Sequence, residues 1–118
     1  MINGEELALA AMRKDLKRLT RAAKKAKTEA DEYMAVGSEM LAIHNEFAEI
    51  VKSGDRTDAT LKKLDELKAR SEKTDRIQKK DLSKLLDKKF EAEQKRDALA
   101  SEVQALEFRL SMRKELRA

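Results

Sequence analysis

One periodic pattern of apolar residues limits what this chain can fold into. Between Leu9 and Val51, apolar residues recur at alternating steps of three and four, and only Gly37 and His44 break the series. The thirteen positions are Leu9, Met12, Leu16, Leu19, Ala23, Ala26, Ala30, Tyr33, Gly37, Met40, His44, Phe47 and Val51. A period of about 3.5 residues is typical of a left-handed coiled coil, in which a narrow stripe of each helix faces a partner helix. The pattern therefore predicts one long α-helix that packs against another.

The first helix has a clear start signal. Asn3 is a good N-cap residue, and Glu6 stands three residues later, as in a capping box. We therefore expect the helix to begin at Gly4.

A single convincing turn interrupts the chain near its middle. Gly54 can adopt the left-handed conformation that ends many helices, and residues 55–58 offer several N-caps for a second helix. The sequence thus predicts helices over residues 4–52 and 58–116, joined by a turn at 53–57.

A turn this short makes consecutive helices antiparallel neighbours. The predicted fold class is therefore all-α, with residues 1–118 as one domain: a long antiparallel helical hairpin with two-helix coiled-coil packing. Pairing Val51 with Leu61 sets a register in which the numbers of facing residues sum to about 112. This register places three alanines of the first helix opposite residues 82–89, where larger side chains can fill the seam. The three alanines are Ala23, Ala26 and Ala30.

Two stretches depart from this regular pattern. At Gly37-Ser38 the first helix either kinks or uses the missing side chain to make room for a bulky neighbour. Within residues 68–81 only Ala69 and Ile77 are apolar, so this part of the second helix is expected to fray, kink or form a solvated face.

Composition and charge argue against several classes of protein. Charged residues make up 42% of the chain, which would suit a disordered segment, but the net charge is only +4 and the apolar residues are strongly periodic. There is no cysteine, and hence no disulfide framework or cysteine zinc site. The start of the chain does not resemble a signal peptide, and no window approaches the ~20 apolar residues of a membrane span. We expect a soluble, cytoplasmic protein without membrane contact.

The residue patterns that support catalysis are missing. His44 is the only histidine, so neither a catalytic triad nor a multi-histidine metal site can form around it. The chain has no glycine-rich phosphate loop and no G-x-S-x-G or H-E-x-x-H motif. We predict no catalytic residue, no cofactor and no metal. His44 is interpreted as a seam or interface residue, and the functional alternative is a weak response of assembly to pH.

Residues 13–27 form a dense basic block that contains one acid, Asp15. Its eight bases are Arg13, Lys14, Lys17, Arg18, Arg21, Lys24, Lys25 and Lys27. The bases near the C-terminus are Arg109, Arg113, Lys114 and Arg117. We favour a solvated coiled-coil face, because no aromatic residues interleave the bases. The alternative is nonspecific binding of nucleic-acid phosphates through counterion release.

The first helix is unusually apolar near the turn, where one face is wider than a single partner helix can cover. The candidate interface residues are Tyr33, Met34, Val36, Met40, Leu41, Ile43, Phe47 and Ile50. We predict a homo-oligomer assembled as a helical bundle, with a dimer favoured. The alternatives are a kinked helix that packs back within one chain and a helix of a different protein as partner.

These features lead to three functional hypotheses. The first is a non-catalytic structural or assembly protein that self-associates and acts as a protein-protein interaction module. The second is a nonspecific nucleic-acid-binding or architectural protein that uses the basic block and the basic C-terminus. The third is an adaptor or chaperone whose apolar helix face binds another protein.

Overall fold

The computed structural model describes residues 3–117, and the side chains of residues 3–116. This part of the chain contains four helices and no strand, so the all-α prediction is confirmed. The helices are α1 (Gly4–Met34), α2 (Val36–Ser53), α3 (Asp58–Gln78) and α4 (Leu82–Arg117). None of the described helices contains a stretch long and apolar enough to cross a membrane.

Two compact units make up the chain. The terminal unit consists of Met1–Thr28 and Ser83–Ala118, and the central unit is Glu29–Leu82. The start of α1 in the terminal unit is capped by Asn3, whose Oδ1 accepts a hydrogen bond from the Glu6 backbone N–H at 2.8 Å. This bond satisfies one of the backbone donors that a helix start leaves without an intrahelical partner.

In the terminal unit, the beginning of α1 packs against the end of α4. The buried members of its core are Leu9, Val103, Leu106 and Leu110, with Met12, Leu16 and Leu99 packed against them. Two ion pairs join the same helices: Arg113 Nη1 lies 2.6 Å from Glu5 Oε2, and Arg13 Nη2 lies 2.9 Å from Glu107 Oε1. Because early residues of α1 meet late residues of α4, the two helices run antiparallel in this unit.

The register of the terminal unit differs from the predicted one. Glu5 pairs with Arg113 and Arg13 pairs with Glu107, so the numbers of facing residues sum to 118 and 120 instead of 112. The difference is about seven residues, which is one heptad. After a slip of one heptad, different residues meet, but the heptad positions that face each other are the same. The period of the sequence therefore does not distinguish the two registers.

In the central unit, α2 and α3 pack against each other and run antiparallel. Val36, at the start of α2, shares a surface depression with Ile77, near the end of α3. Ile50, near the end of α2, lines another depression with Thr60, at the start of α3.

The connection between α2 and α3 is a short turn with a cap on each side. Gly54 has a φ of 69°, in the left-handed region, and its N–H donates to the Val51 carbonyl at 3.3 Å. Thr57 caps α3, because its Oγ1 accepts from the Thr60 N–H at 3.4 Å. The Thr57 N–H donates to Asp55 Oδ1 at 2.9 Å, and this bond, followed by one from Thr60, lowers the pKa of the Asp55 carboxyl. The carboxylate therefore stabilises the turn at neutral pH, and this contribution is lost as the pH falls through the lowered pKa.

Two interruptions divide the long helices that the sequence predicts. The first is at Ala35, whose ψ of −3° is far from the helical value, although its N–H still donates to the Asp31 carbonyl at 3.0 Å. The second covers residues 79–81, where the Lys80 N–H bonds to the Ile77 carbonyl three residues back. Gly37 lies inside α2, and a Cβ built there meets no atom within 4 Å. Gly37 therefore makes no room for a bulky neighbour among the described residues.

A matched pair of glycine substitutions tests this account of the backbone. Gly54→Ala should lower the free energy of unfolding by about 1–2 kcal/mol, because an L-residue is strained at this positive φ. Gly37→Ala should raise it by about 0.5–1 kcal/mol, because alanine is favoured inside a helix and the position is open. Urea unfolding followed by far-UV circular dichroism measures both. Effects of the same sign would contradict the assigned backbone conformations.

Candidate protein interface

The helix α2 presents two neighbouring rows of residues, each spaced by three and four. The inner row faces α3 and comprises Val36, Glu39, Ile43, Glu46 and Ile50. The outer row comprises Met40, His44, Phe47 and Val51, all of them exposed. Met40 is 44% exposed, Phe47 50% and Val51 53%. The outer row continues the heptad series that begins in α1. However, α3 packs against the inner row, and the outer row lies at the edge of the contact between α2 and α3.

An open apolar groove runs between the outer row and α3. Its volume is about 490 Å³. From α2 it is lined by Met40, Ile43, His44 and Phe47, and from α3 by Leu64, Leu67, Lys68, Ser71, Thr74 and Asp75. Leu61, one turn before Leu64 on α3, is also exposed and extends the apolar surface toward the turn. Five of its ten lining residues are apolar and five are polar, a mixture that suits an amphipathic helix.

Arg70 on α3 bonds to two residues of the inner row of α2. Its Nε donates to Glu39 Oε1 at 2.8 Å, and its Nη1 donates to Glu46 Oε2. The hydrogen bond to Glu39, and then the one to Glu46, raises the pKa of the Arg70 guanidinium. The planar, forked guanidinium can hold two carboxylates at once, whereas a lysine presents one point charge. The two bonds therefore join the acids of the inner row to α3.

Thr74 shows how α3 forms the floor of the groove within a polar segment. It is buried, and its Oγ1 donates to the Arg70 carbonyl at 2.9 Å. A hydroxyl satisfied by the carbonyl four residues back can be buried at little cost. The burial of Thr74 could not be predicted from hydropathy. The groove residues Lys68, Ser71 and Asp75 likewise lie within residues 68–81, which the sequence led us to expect to fray, kink or form a solvated face.

The predicted interface residues have different environments in the structure. Met34 and Leu41 are exposed, and Tyr33, Ile43 and Ile50 are half-buried. Val36 is buried within the central unit and offers no surface to a partner. Met40 and Phe47 are the predicted interface residues that belong to the outer row.

All eight bases of the predicted basic block lie exposed on α1 in the terminal unit. Arg13 pairs with Glu107, while the other seven have no acidic partner among the described residues. Near the C-terminus, Arg113 pairs with Glu5, Arg109 and Lys114 are exposed, and the side chain of Arg117 lies outside the described part.

Among residues 3–117, no group of three or more histidine or acidic side chains could hold a metal ion. His44 stands on the wall of the groove and is exposed. Comparison of the chain with protein-family models, with curated proteins and with solved structures finds no match.

Replacing Arg70 by Ala should destabilise the central unit, because it leaves Glu39 and Glu46 without their shared cation. The loss of stability should be larger at low ionic strength than in concentrated salt, where exposed charges are screened. Urea unfolding at the two salt concentrations measures this difference. Arg13→Ala is the matched control, since it breaks a single exposed pair and should have the smaller effect. A salt-independent loss in the Arg70 variant would contradict the ionic explanation.

Proposed function

We propose that this protein is a non-catalytic assembly module that forms a homodimer. The central unit of each chain binds that of a second copy through the groove between α2 and α3, so that two helix pairs make a four-helix bundle. The exposed outer row supports this proposal most directly. Met40, Phe47 and Val51 keep the spacing of a helix-packing seam, and each leaves about half of its surface exposed to solvent. A helix with apolar side chains in two neighbouring rows is typical of a bundle member with two neighbours.

A second copy is the occupant that the charges favour. On the far side of the outer row, two turns of α2 carry the uncharged residues Leu41, Asn45 and Ala48. The acids Glu39 and Glu46 lie on the other side, where Arg70 holds them. Apart from His44 the outer row is apolar, and it contains no acid, so two copies of α2 can approach each other without repulsion between carboxylates. The α3 wall adds one base, Lys68, and one acid, Asp75.

The two α2 helices should be antiparallel in this dimer. In an antiparallel seam, Met40 packs against Val51 of the second copy, and His44 packs against the ring of Phe47. A parallel arrangement would instead place the two His44 side chains against each other in an apolar seam. Antiparallel pairing also aligns the helix dipoles favourably. The result is an isologous interface of the kind most dimers use.

Phe47→Glu should convert the dimer to a monomer, because it places a charge at the centre of the seam. Light scattering on the unmodified chain should give twice the chain mass of 13.5 kDa, and the variant should give the chain mass itself. Phe108→Glu is the matched control: Phe108 is 66% exposed on α4, outside the groove, and its variant should remain dimeric. Met40→Glu repeats the test at a second position of the same row, and circular dichroism verifies that each variant is folded.

A monomeric unmodified chain, or a Phe47→Glu chain that stays dimeric, would overturn the proposed interface. A chain that is monomeric and becomes ordered only with a different protein would favour the adaptor or chaperone hypothesis.

The antiparallel orientation can be tested by cysteine pairing, because the chain has no cysteine of its own. A Met40→Cys chain and a Val51→Cys chain, unfolded and refolded together, should form a disulfide-linked mixed dimer on oxidation. Neither chain alone should form one efficiently, since the two copies of each position lie far apart. Non-reducing electrophoresis with mass spectrometry identifies the products. Efficient crosslinking of the Met40→Cys chain by itself would indicate the parallel arrangement.

A further inference from the structure

The basic block of α1 contains a regular stripe that points away from the core of the terminal unit. Lys14, Arg18, Arg21 and Lys25 recur at steps of four, three and four, which places them on one side of the helix. A separation of nine residues is two and a half turns of an α-helix. Nine residues along the chain from each stripe residue, and therefore on the opposite side of α1, lies a buried or half-buried residue. These residues are Ala23 for Lys14, Leu9 for Arg18, Met12 for Arg21 and Leu16 for Lys25.

The stripe carries uncompensated charge. All four side chains are exposed, and none has an acidic partner among the described residues. Lys17 and Lys24 lie beside the stripe and are likewise exposed and without acidic partners. The helix rises about 1.5 Å per residue, so the four stripe positions span roughly 16 Å with a base about every 4.5 to 6 Å. The only acid within the block is Asp15.

A linear array of this density fits a repeating anion. Double-stranded nucleic acid carries about one negative charge per 1.7 Å of its axis, and bases that neutralise its phosphates release condensed counterions. We propose that the stripe on α1 binds the phosphate backbone of double-stranded nucleic acid, without reading the base sequence.

The residues around the stripe favour a duplex over two other polyanionic partners. Single-strand binding relies on aromatic side chains on which bases stack, and residues 13–28 contain none. Binding to an anionic membrane relies on apolar side chains that enter the lipid, and the apolar residues of this segment are alanines and the half-buried Leu16 and Leu19. Asn and Gln, which read adenine in the major groove, are also absent from residues 13–28.

The stripe lies in the terminal unit, so this proposal does not depend on the proposed dimer. Its test uses the full chain and a fluorescent duplex of about 30 base pairs in two unrelated sequences, with binding measured by anisotropy over a range of salt concentrations. The unmodified chain should bind both sequences alike, with an affinity that falls steeply with salt.

The test variant is Lys14→Gln, Arg18→Gln, Arg21→Gln and Lys25→Gln combined. Each lost phosphate contact should reduce the slope of log affinity against log salt by about 1, so the combined variant should lose about 4. At low salt its affinity should fall at least about tenfold. The matched control replaces four exposed lysines of the central unit by Gln, namely Lys62, Lys63, Lys79 and Lys80, and changes the net charge equally. It should keep most of the affinity and of the slope.

Three results would overturn the proposal: no binding of the duplex at low salt, an equal loss in the control variant, or tighter binding of a single strand or of anionic lipid vesicles than of the duplex. Light scattering on the same samples reports the oligomeric state separately. A chain that binds duplex as a monomer would contradict the dimer and leave the stripe proposal standing.

Discussion

Each helix of this chain carries an apolar stripe too narrow to form a core by itself, so its burial depends on a second helix lying beside it. In the terminal unit that requirement is met: Leu9 packs with Val103, Leu106 and Leu110, and Ala23 and Ala26 are only 2% and 1% exposed. In the central unit, α3 lies beside the inner row of α2, whereas the outer row has no helix of the described chain packed directly on it. The proposed interface therefore lies where the same packing rule has no partner within the chain.

The row of α2 that faces α3 makes both polar and apolar contacts. Glu39 and Glu46 are seven residues apart, and Arg70 binds both. These pairs and the apolar residues Val36, Ile43 and Ile50 share the inner row that lies toward α3. Thr74, with its hydroxyl bonded to a backbone carbonyl, lets the polar segment of α3 lie against α2. The groove is the space that remains beside this contact.

Local signals in the sequence predict much of the fold, because they act over a few residues. The cap at Asn3 and the left-handed Gly54 are such signals, and both occur in the structure. The break at Ala35 and the one-heptad difference in register depend instead on which helices meet, and a repeating period is the same in either arrangement. The burial of Val36 could not be predicted for the same reason: its apolar side chain fits the inner row as well as an exposed face. Predicting the groove would have required the partners of Arg70, which are residues 24 and 31 positions earlier in the chain.

Charge also indicates why assembly and polyanion binding would use different units. By sequence, the terminal unit has 17 bases and 10 acids, and the central unit has 10 bases and 13 acids. Two copies that met along the outward side of α1 would bring their unpaired bases together. The resulting electrostatic repulsion falls only when salt screens the bases or a polyanion neutralises them. Two copies that meet along the outer row of α2 bring together apolar and uncharged residues. The same basic stripe that opposes self-association through α1 is therefore what leaves that helix open to a polyanion.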